Sequence, residues 1–128
     1  MVLVDTNVLV DVVERDPQWF SWSIGQLRKL SMTQPLAINA IIYAELAATY
    51  SSSAVLDQKI ATMNLVFEQI PRSAAFLAGK AYVIYRRQHG TKTNVLPDFF
   101  IGAHAAVLGC PLLARDTPAT LLIFRRSG

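Results

Sequence analysis

Charge is scarce in this sequence. Asp, Glu, Lys and Arg make up 16% of it, against about a quarter in an ordinary globular domain. Cysteine occurs once, at Cys110; an internal disulfide is therefore impossible, a reducing cytoplasm is the expected setting, and Cys110 reads as a small core residue. No stretch reaches the roughly 18 uninterrupted apolar residues of a membrane-spanning helix, so no membrane association is expected. No basic residue precedes Arg15, which argues against a signal peptide. A glycine-rich phosphate loop is also missing, which argues against nucleotide hydrolysis. No Cys/His set stands at zinc spacing, and His89 and His104 each read as a surface or satisfied core histidine. There is no internal repeat and no low-complexity segment.

What is present is apolar: 52% of the 128 residues are hydrophobic. A chain of this length predicts one domain over residues 1–128 that buries its core without disulfides or metal staples. High apolar content with little charge suits strands buried on both faces by helices. Val2-Leu-Val4 is a short, mostly β-branched run that predicts a buried strand, and Thr6 and Asn7 open a helix from Val8 to about Glu14. Asp16-Pro17 starts a helix to about Leu30, followed by a strand at Leu36–Ile38 and an apolar helix, capped by Asn39, from Ala40 to about Tyr50. Further helices are predicted over about 53–64, 73–88 and 97–108, with strands at Val66–Ile70, Leu112–Ala114 and Leu121–Phe124. Strands alternating with helices predict a three-layer α/β/α sandwich around a short-stranded, mostly parallel sheet of about five strands. Trp19 and Trp22, near Leu27 and Leu30 on one helix, read as core packing, or as an interface stripe if partly exposed.

The formal charge is +3, a mild bias toward polyanions. Basic residues gather at Arg86, Arg87 and Lys92 around His89 and at Arg125 and Arg126; these are ordinary solvated faces unless they hold a phosphate backbone.

Nine residues are Asp or Glu, and four of them, Asp5, Glu45, Asp98 and Asp116, sit where a solvated charge is least expected. Asp5 ends a buried strand, a position at the mouth of the crevice in which open parallel sheets collect ligands; its simpler reading is a helix cap. Glu45 shares a helix face with Ile41, Ile42 and Ala48, and no Lys or Arg stands between Lys29 and Lys59 to neutralise it locally. Asp98 lies in a first helical turn, where the helix dipole favours an anion by about 0.3–1 kcal/mol. Asp116 repeats the strand-end setting of Asp5, and Arg115 beside it would point to the opposite face of an extended chain. Converging on one sheet edge, such carboxylates repel by roughly 4 kcal/mol per close pair. A divalent cation would neutralise them, and an all-oxygen set favours Mg²⁺ or Mn²⁺ over zinc.

The segments Asp5-Thr-Asn-Val-Leu-Val10, Tyr43-Ala-Glu-Leu46, Leu96-Pro-Asp-Phe-Phe-Ile-Gly-Ala-His-Ala105 and Leu112-Leu-Ala-Arg-Asp116 together resemble a PIN-domain ribonuclease, and more narrowly a VapC-type toxin of a bacterial toxin–antitoxin pair. The likeness covers nearly the whole chain in order and spacing. It implies a Mg²⁺- or Mn²⁺-dependent endoribonuclease whose acidic pocket is Asp5, Glu45, Asp98 and Asp116, with Thr6 and Asn7 beside it, and whose partners are RNA, a cognate antitoxin and a second copy of the chain. Two features depart from the family pattern: Asp116 is followed quickly by the last predicted strand, and Asn39 stands where Ser or Thr is frequent. In such an enzyme Asp5 and Asp98 are the main metal ligands, Glu45 a ligand or water-orienting group, and Asp116 a second-site or water-mediated ligand. Arg115 and Lys92 are candidates for holding backbone phosphates. The rival readings are a non-catalytic PIN-like module that binds RNA or protein, and a phosphate-handling α/β domain with Asp5 as nucleophile. The second lacks the paired acids and later Lys of a receiver.

Overall fold

In a computed structural model of the chain, which describes residues 1–88 and 95–115, four strands and six helices follow one another. They are β1 (Val2–Val4), α1 (Thr6–Val13), α2 (Phe20–Ser31), β2 (Leu36–Ile38), α3 (Ala40–Ala47), α4 (Ser53–Thr62), β3 (Leu65–Phe67), α5 (Arg72–Arg87), α6 (Leu96–Leu108) and β4 (Leu112–Leu113). The strands pair in the order β3-β2-β1-β4, all parallel, with Leu3 opposite both Ala37 and Leu112. The expected parallel α/β architecture is therefore present, with four strands rather than about five; the segment expected to form the last strand, Leu121–Phe124, lies outside the described residues.

Every residue of β1 and β2 is buried, so both faces of the central sheet are covered, as parallel pairing requires. Leu3, Val4, Val8, Ile38, Ile42 and Leu56 anchor this main core. A second apolar cluster lies between α5 and α6, where Ala74, Ala78 and Ala81 let the helices approach and Phe99 fills the gap. The Phe99 ring meets Tyr82 and Tyr85 edge-on at 6.2 and 5.6 Å, an arrangement that places ring edges against π faces. No described helix is long and apolar enough to cross a membrane.

Local chemistry explains where the expected boundaries moved. Helical bonding after Asp16 begins only at Phe20, because the Asp16 carboxylate accepts the Gln18 and Trp19 N–H groups and holds residues 17–19 in a turn. The Thr49 hydroxyl and N–H both bond the Leu46 carbonyl, tightening the end of α3 three residues before the expected Tyr50. β3 closes with Glu68 N–H to the Ile38 carbonyl and is an edge strand, with Val66 and Phe67 exposed. Gly109 ends α6 at φ 67°, the left-handed cap that glycine adopts without strain. Trp19 and Trp22 are not core residues: Trp19 is half-buried and Trp22 is 36% exposed, with the rings edge to face at 5.9 Å.

The direction of the connections positions a crevice. From β1 the chain steps outward to β2 and then β3, whereas β4 returns to the other side of β1. The carboxyl ends of β1 and β4 therefore flank a topological switch point, the place where open α/β sheets bind ligands. Replacing Phe99, which is fully buried, by Ala should cost about 3–5 kcal/mol in urea unfolding. The same change at Phe76, 69% exposed on the outer face of α5, should stay within about 0.5 kcal/mol.

Candidate active site

Asp5 stands at that switch point. Its backbone N–H bonds the Leu113 carbonyl of β4 at 2.9 Å, so the ladder that closes the sheet also fixes the residue. It occupies the N-cap position of α1 with extended backbone, yet its side chain makes no capping hydrogen bond. The simpler reading of Asp5 as a side-chain helix cap therefore fails. Burial raises its pKa from 3.8 to about 6, and the charges of Asp98 and Glu45 push it the same way. The Thr6 N–H and the Arg115 guanidinium oppose the rise.

Three of the four acids expected to converge thus act on one point from three elements: Asp5 from the end of β1, Glu45 from α3 and Asp98 from the first turn of α6. Glu45 proves to be an exposed residue at the rim rather than a buried one. Its Oε1 accepts the Thr6 hydroxyl at 2.7 Å, a bond that orients the carboxylate and accounts for an acid on an otherwise apolar helix. Thr6, expected beside the pocket, is buried, and Asn7 is exposed on the next position of α1. Asp98 is half-buried at the helix end where the macrodipole favours its charge. Asp116 and Lys92 lie outside the described residues. Among the described residues no three His, Cys, Asp or Glu side chains stand as a ready-made cation cage.

Sequence reasoning misses a further acid. Asp11 on α1 is 2% exposed, accepts the Ser23 hydroxyl at 2.7 Å and pairs with Arg115 Nε at 3.3 Å, though that N–H is not aligned for a hydrogen bond. The Arg115 guanidinium also lies 5.4 Å from the centre of the Trp19 ring. Without these partners a buried Asp11 would be an uncompensated charge costing several kcal/mol. Its sequence signal is the same as that of Glu45, an acid in an apolar helical run. Arg115, expected to touch phosphate, is thus tethered between Asp11 and the Asp5 crevice.

Two further residues link the helices that carry the acids. Asn39, fully buried, caps α3 by accepting the Ile42 N–H at 3.0 Å, as its sequence position predicts. Its side-chain amide also meets His104 Nδ1 of α6 at 3.1 Å, and His104 is itself fully buried.

The chain matches the family model for the PIN domain over residues 2–119. None of the curated proteins matches it. Among solved structures it is similar to VapBC2 from Rickettsia felis bound to a promoter DNA fragment, with TM-score 0.70 and 19% identity over 92% of this chain and 90% of that one. It is similar to FitAcB from Neisseria gonorrhoeae, with TM-score 0.67 and 21% identity over 97% and 93%. It is also similar to VapC20 of Mycobacterium tuberculosis, a toxin that cleaves the sarcin–ricin loop, with TM-score 0.62 and 14% identity over 100% and 95%.

The raised pKa of Asp5 has a sign that unfolding can check. Because the folded value near 6 exceeds the unfolded one, protonated Asp5 favours the fold, and that contribution is complete below about pH 4 and lost as pH rises through 6. In chelator, Asp5→Asn should therefore be more stable than wild type by up to about 3 kcal/mol at pH 8, the gap closing by pH 4 in urea titrations.

Proposed function

Because this chain belongs to the PIN-domain family, we propose that it is a metal-dependent endoribonuclease of the VapC toxin type, held inactive by a cognate antitoxin. The observation that carries the proposal is a buried acid at the switch point: the Asp5 pKa is raised to about 6, first by burial and then by the charges of Asp98 and Glu45. Carboxylates held at such cost suit a cation. The donors are all oxygen, from Asp5, Glu45 and Asp98, which fits Mg²⁺ or Mn²⁺ and not a thiolate- or imidazole-bound metal.

Asp5 and Asp98 are the groups that would hold the ion, with Glu45 as ligand or water-orienting group and Asp116 as a further ligand. When bound, a divalent ion lowers the pKa of a water molecule and stabilises charge on the phosphoryl oxygens. The chain's own residues do the remaining work. Thr6 donates to Glu45 and fixes the direction of its carboxylate. Asp98 holds its charge at the positive end of α6. Arg115, braced by Asp11 and Trp19, presents a cation at the same crevice, where an RNA phosphate would lie; Lys92 is the second candidate for that contact.

The similar structures from Rickettsia felis and Neisseria gonorrhoeae and a toxin–antitoxin complex from Klebsiella pneumoniae support a protein partner of the same kind here. The half-exposed Trp19–Trp22 pair gives that partner, or a second copy of the chain, aromatic surface to bury.

The test is RNA cleavage in Mg²⁺ or Mn²⁺. Chelator should abolish it, Asp5→Asn and Asp98→Asn should each lower the rate by at least about 100-fold, and Thr6→Val by about 10-fold through misdirection of Glu45. Mn²⁺ at 100 times its Kd should raise wild-type stability by about 2.7 kcal/mol. Cleavage that survives chelator or both Asp substitutions overturns the enzyme assignment, and Mn²⁺ binding without cleavage makes the chain a binding module.

A further inference from the structure

Asn39 and His104 are 65 residues apart, both fully buried, and joined by one bond of 3.1 Å. The Asn39 side chain is used twice. Its Oδ1 accepts the Ile42 N–H at the start of α3, so the amide must point Nδ2 at His104, and a donating Nδ2 requires Nδ1 of the ring to be unprotonated. The ring proton then sits on Nε2, which has no well-formed hydrogen bond but is drawn toward the Gln69 backbone and the Glu68 carboxylate. Burial lowers the ring's pKa against that pull, keeping a neutral imidazole as the acceptor.

The position of this bond along the two helices is what gives it a role. Glu45 lies six residues after Asn39, and Asp98 lies six residues before His104. Each interval is about 9 Å of helix. The Asn39–His104 contact thus ties the start of α3 to α6, and on each helix the acid that acts on Asp5 stands six residues from the tie. The bond fixes how far one slides against the other. An axial slip would separate Glu45 from Asp98, one riding away from Asp5 as the other shifts.

We propose that the buried Asn39–His104 pair is the register pin of the acidic pocket: two positioning residues, touching neither substrate nor metal, that set the spacing of Glu45 and Asp98 across Asp5. The inference rests on the reading of that pocket as a cation site, and it adds to the site a pair placed about 9 Å along the helices from the acids.

Two substitutions separate the pin from the helix cap. Asn39→Ser keeps an oxygen for the Ile42 N–H but is too short to hold His104; His104→Phe keeps ring volume and removes the acceptor. With Mn²⁺ alone as probe, calorimetric titration should show about tenfold weaker binding in each variant at temperatures where circular dichroism shows both folded. The double variant should be no weaker than the worse single one, because one bond is being removed twice. In the cleavage assay kcat should fall while KM for RNA holds. On the wild-type protein, histidine ¹⁵N spectra at pH 7 should show His104 neutral with its proton on Nε2, a measurement independent of whether either variant folds. Unchanged Mn²⁺ affinity in both folded variants, additive losses in the double, or a proton on Nδ1 overturns the pin. Wild-type protein that binds Mn²⁺ but leaves RNA intact defeats the nuclease reading alone, and the loss of Mn²⁺ affinity in the variants then still supports the pin; wild type that binds no Mn²⁺ overturns both.

Discussion

A carboxyl held where water is scarce, within reach of other acids, is what the rest of this molecule is built to tolerate. Asp5 is placed by a strand only three residues long, and that strand is held on both sides, by β2 through Leu36 and Ala37 and by β4 through Leu112 and Leu113. The apolar burial of Val2, Leu3 and Val4 supplies the free energy that keeps an unfavourable carboxyl where water is scarce. Around it the structure distributes compensation. Thr6 takes one oxygen of Glu45, the end of α6 favours Asp98, and Arg115 attracts Asp5 while neutralising Asp11. A carboxyl whose pKa is raised by burial, beside other acids at a sheet's switch point, marks a candidate functional site.

The parts of this arrangement that sequence reveals are those whose cause is local. A β-branched run followed by an acid and helix-start residues marks β1 and Asp5. Asn39 before an apolar run marks the cap of α3, and Gly109 marks the end of α6. Alternation of strands and helices is enough to predict the parallel sheet. Glu45 and Asp98 stand out as charges out of keeping with their helices, so Asp5 and the two acids whose charges act on it are all legible in the sequence itself. Boundaries shift by a few residues where a side chain captures backbone groups, as Asp16 and Thr49 do.

What stays hidden is long-range. Nothing near Asp11 announces Arg115, and nothing near Asn39 announces His104, because a partner beyond the reach of helical or strand periodicity leaves no periodic trace. A satisfied core histidine is the right description of His104 at Nδ1, while its tie to the helix that carries Glu45 exists only in three dimensions. Trp19 and Trp22 show the opposite failure: a helical spacing typical of core residues belongs here to a half-exposed pair, one of whose rings supports the Arg115 guanidinium. Hydrophobic pattern alone does not say which side of a helix the sheet will cover.

The strand order carries a consequence for synthesis. Leu3 needs Leu112 beside it, and Asp11 needs Arg115, so the centre of the sheet cannot close until residues 112–115 have left the ribosome. A growing polypeptide can pair β1 with β2 and β2 with β3, but Asp5 lacks its β4 anchor and Asp11 its counter-charge until residues 112–115 are made. Assembly of the acidic crevice is thereby deferred until β4 has been made, and a chain broken off before residue 112 would carry Asp5, Glu45 and Asp98 without the strand that anchors Asp5.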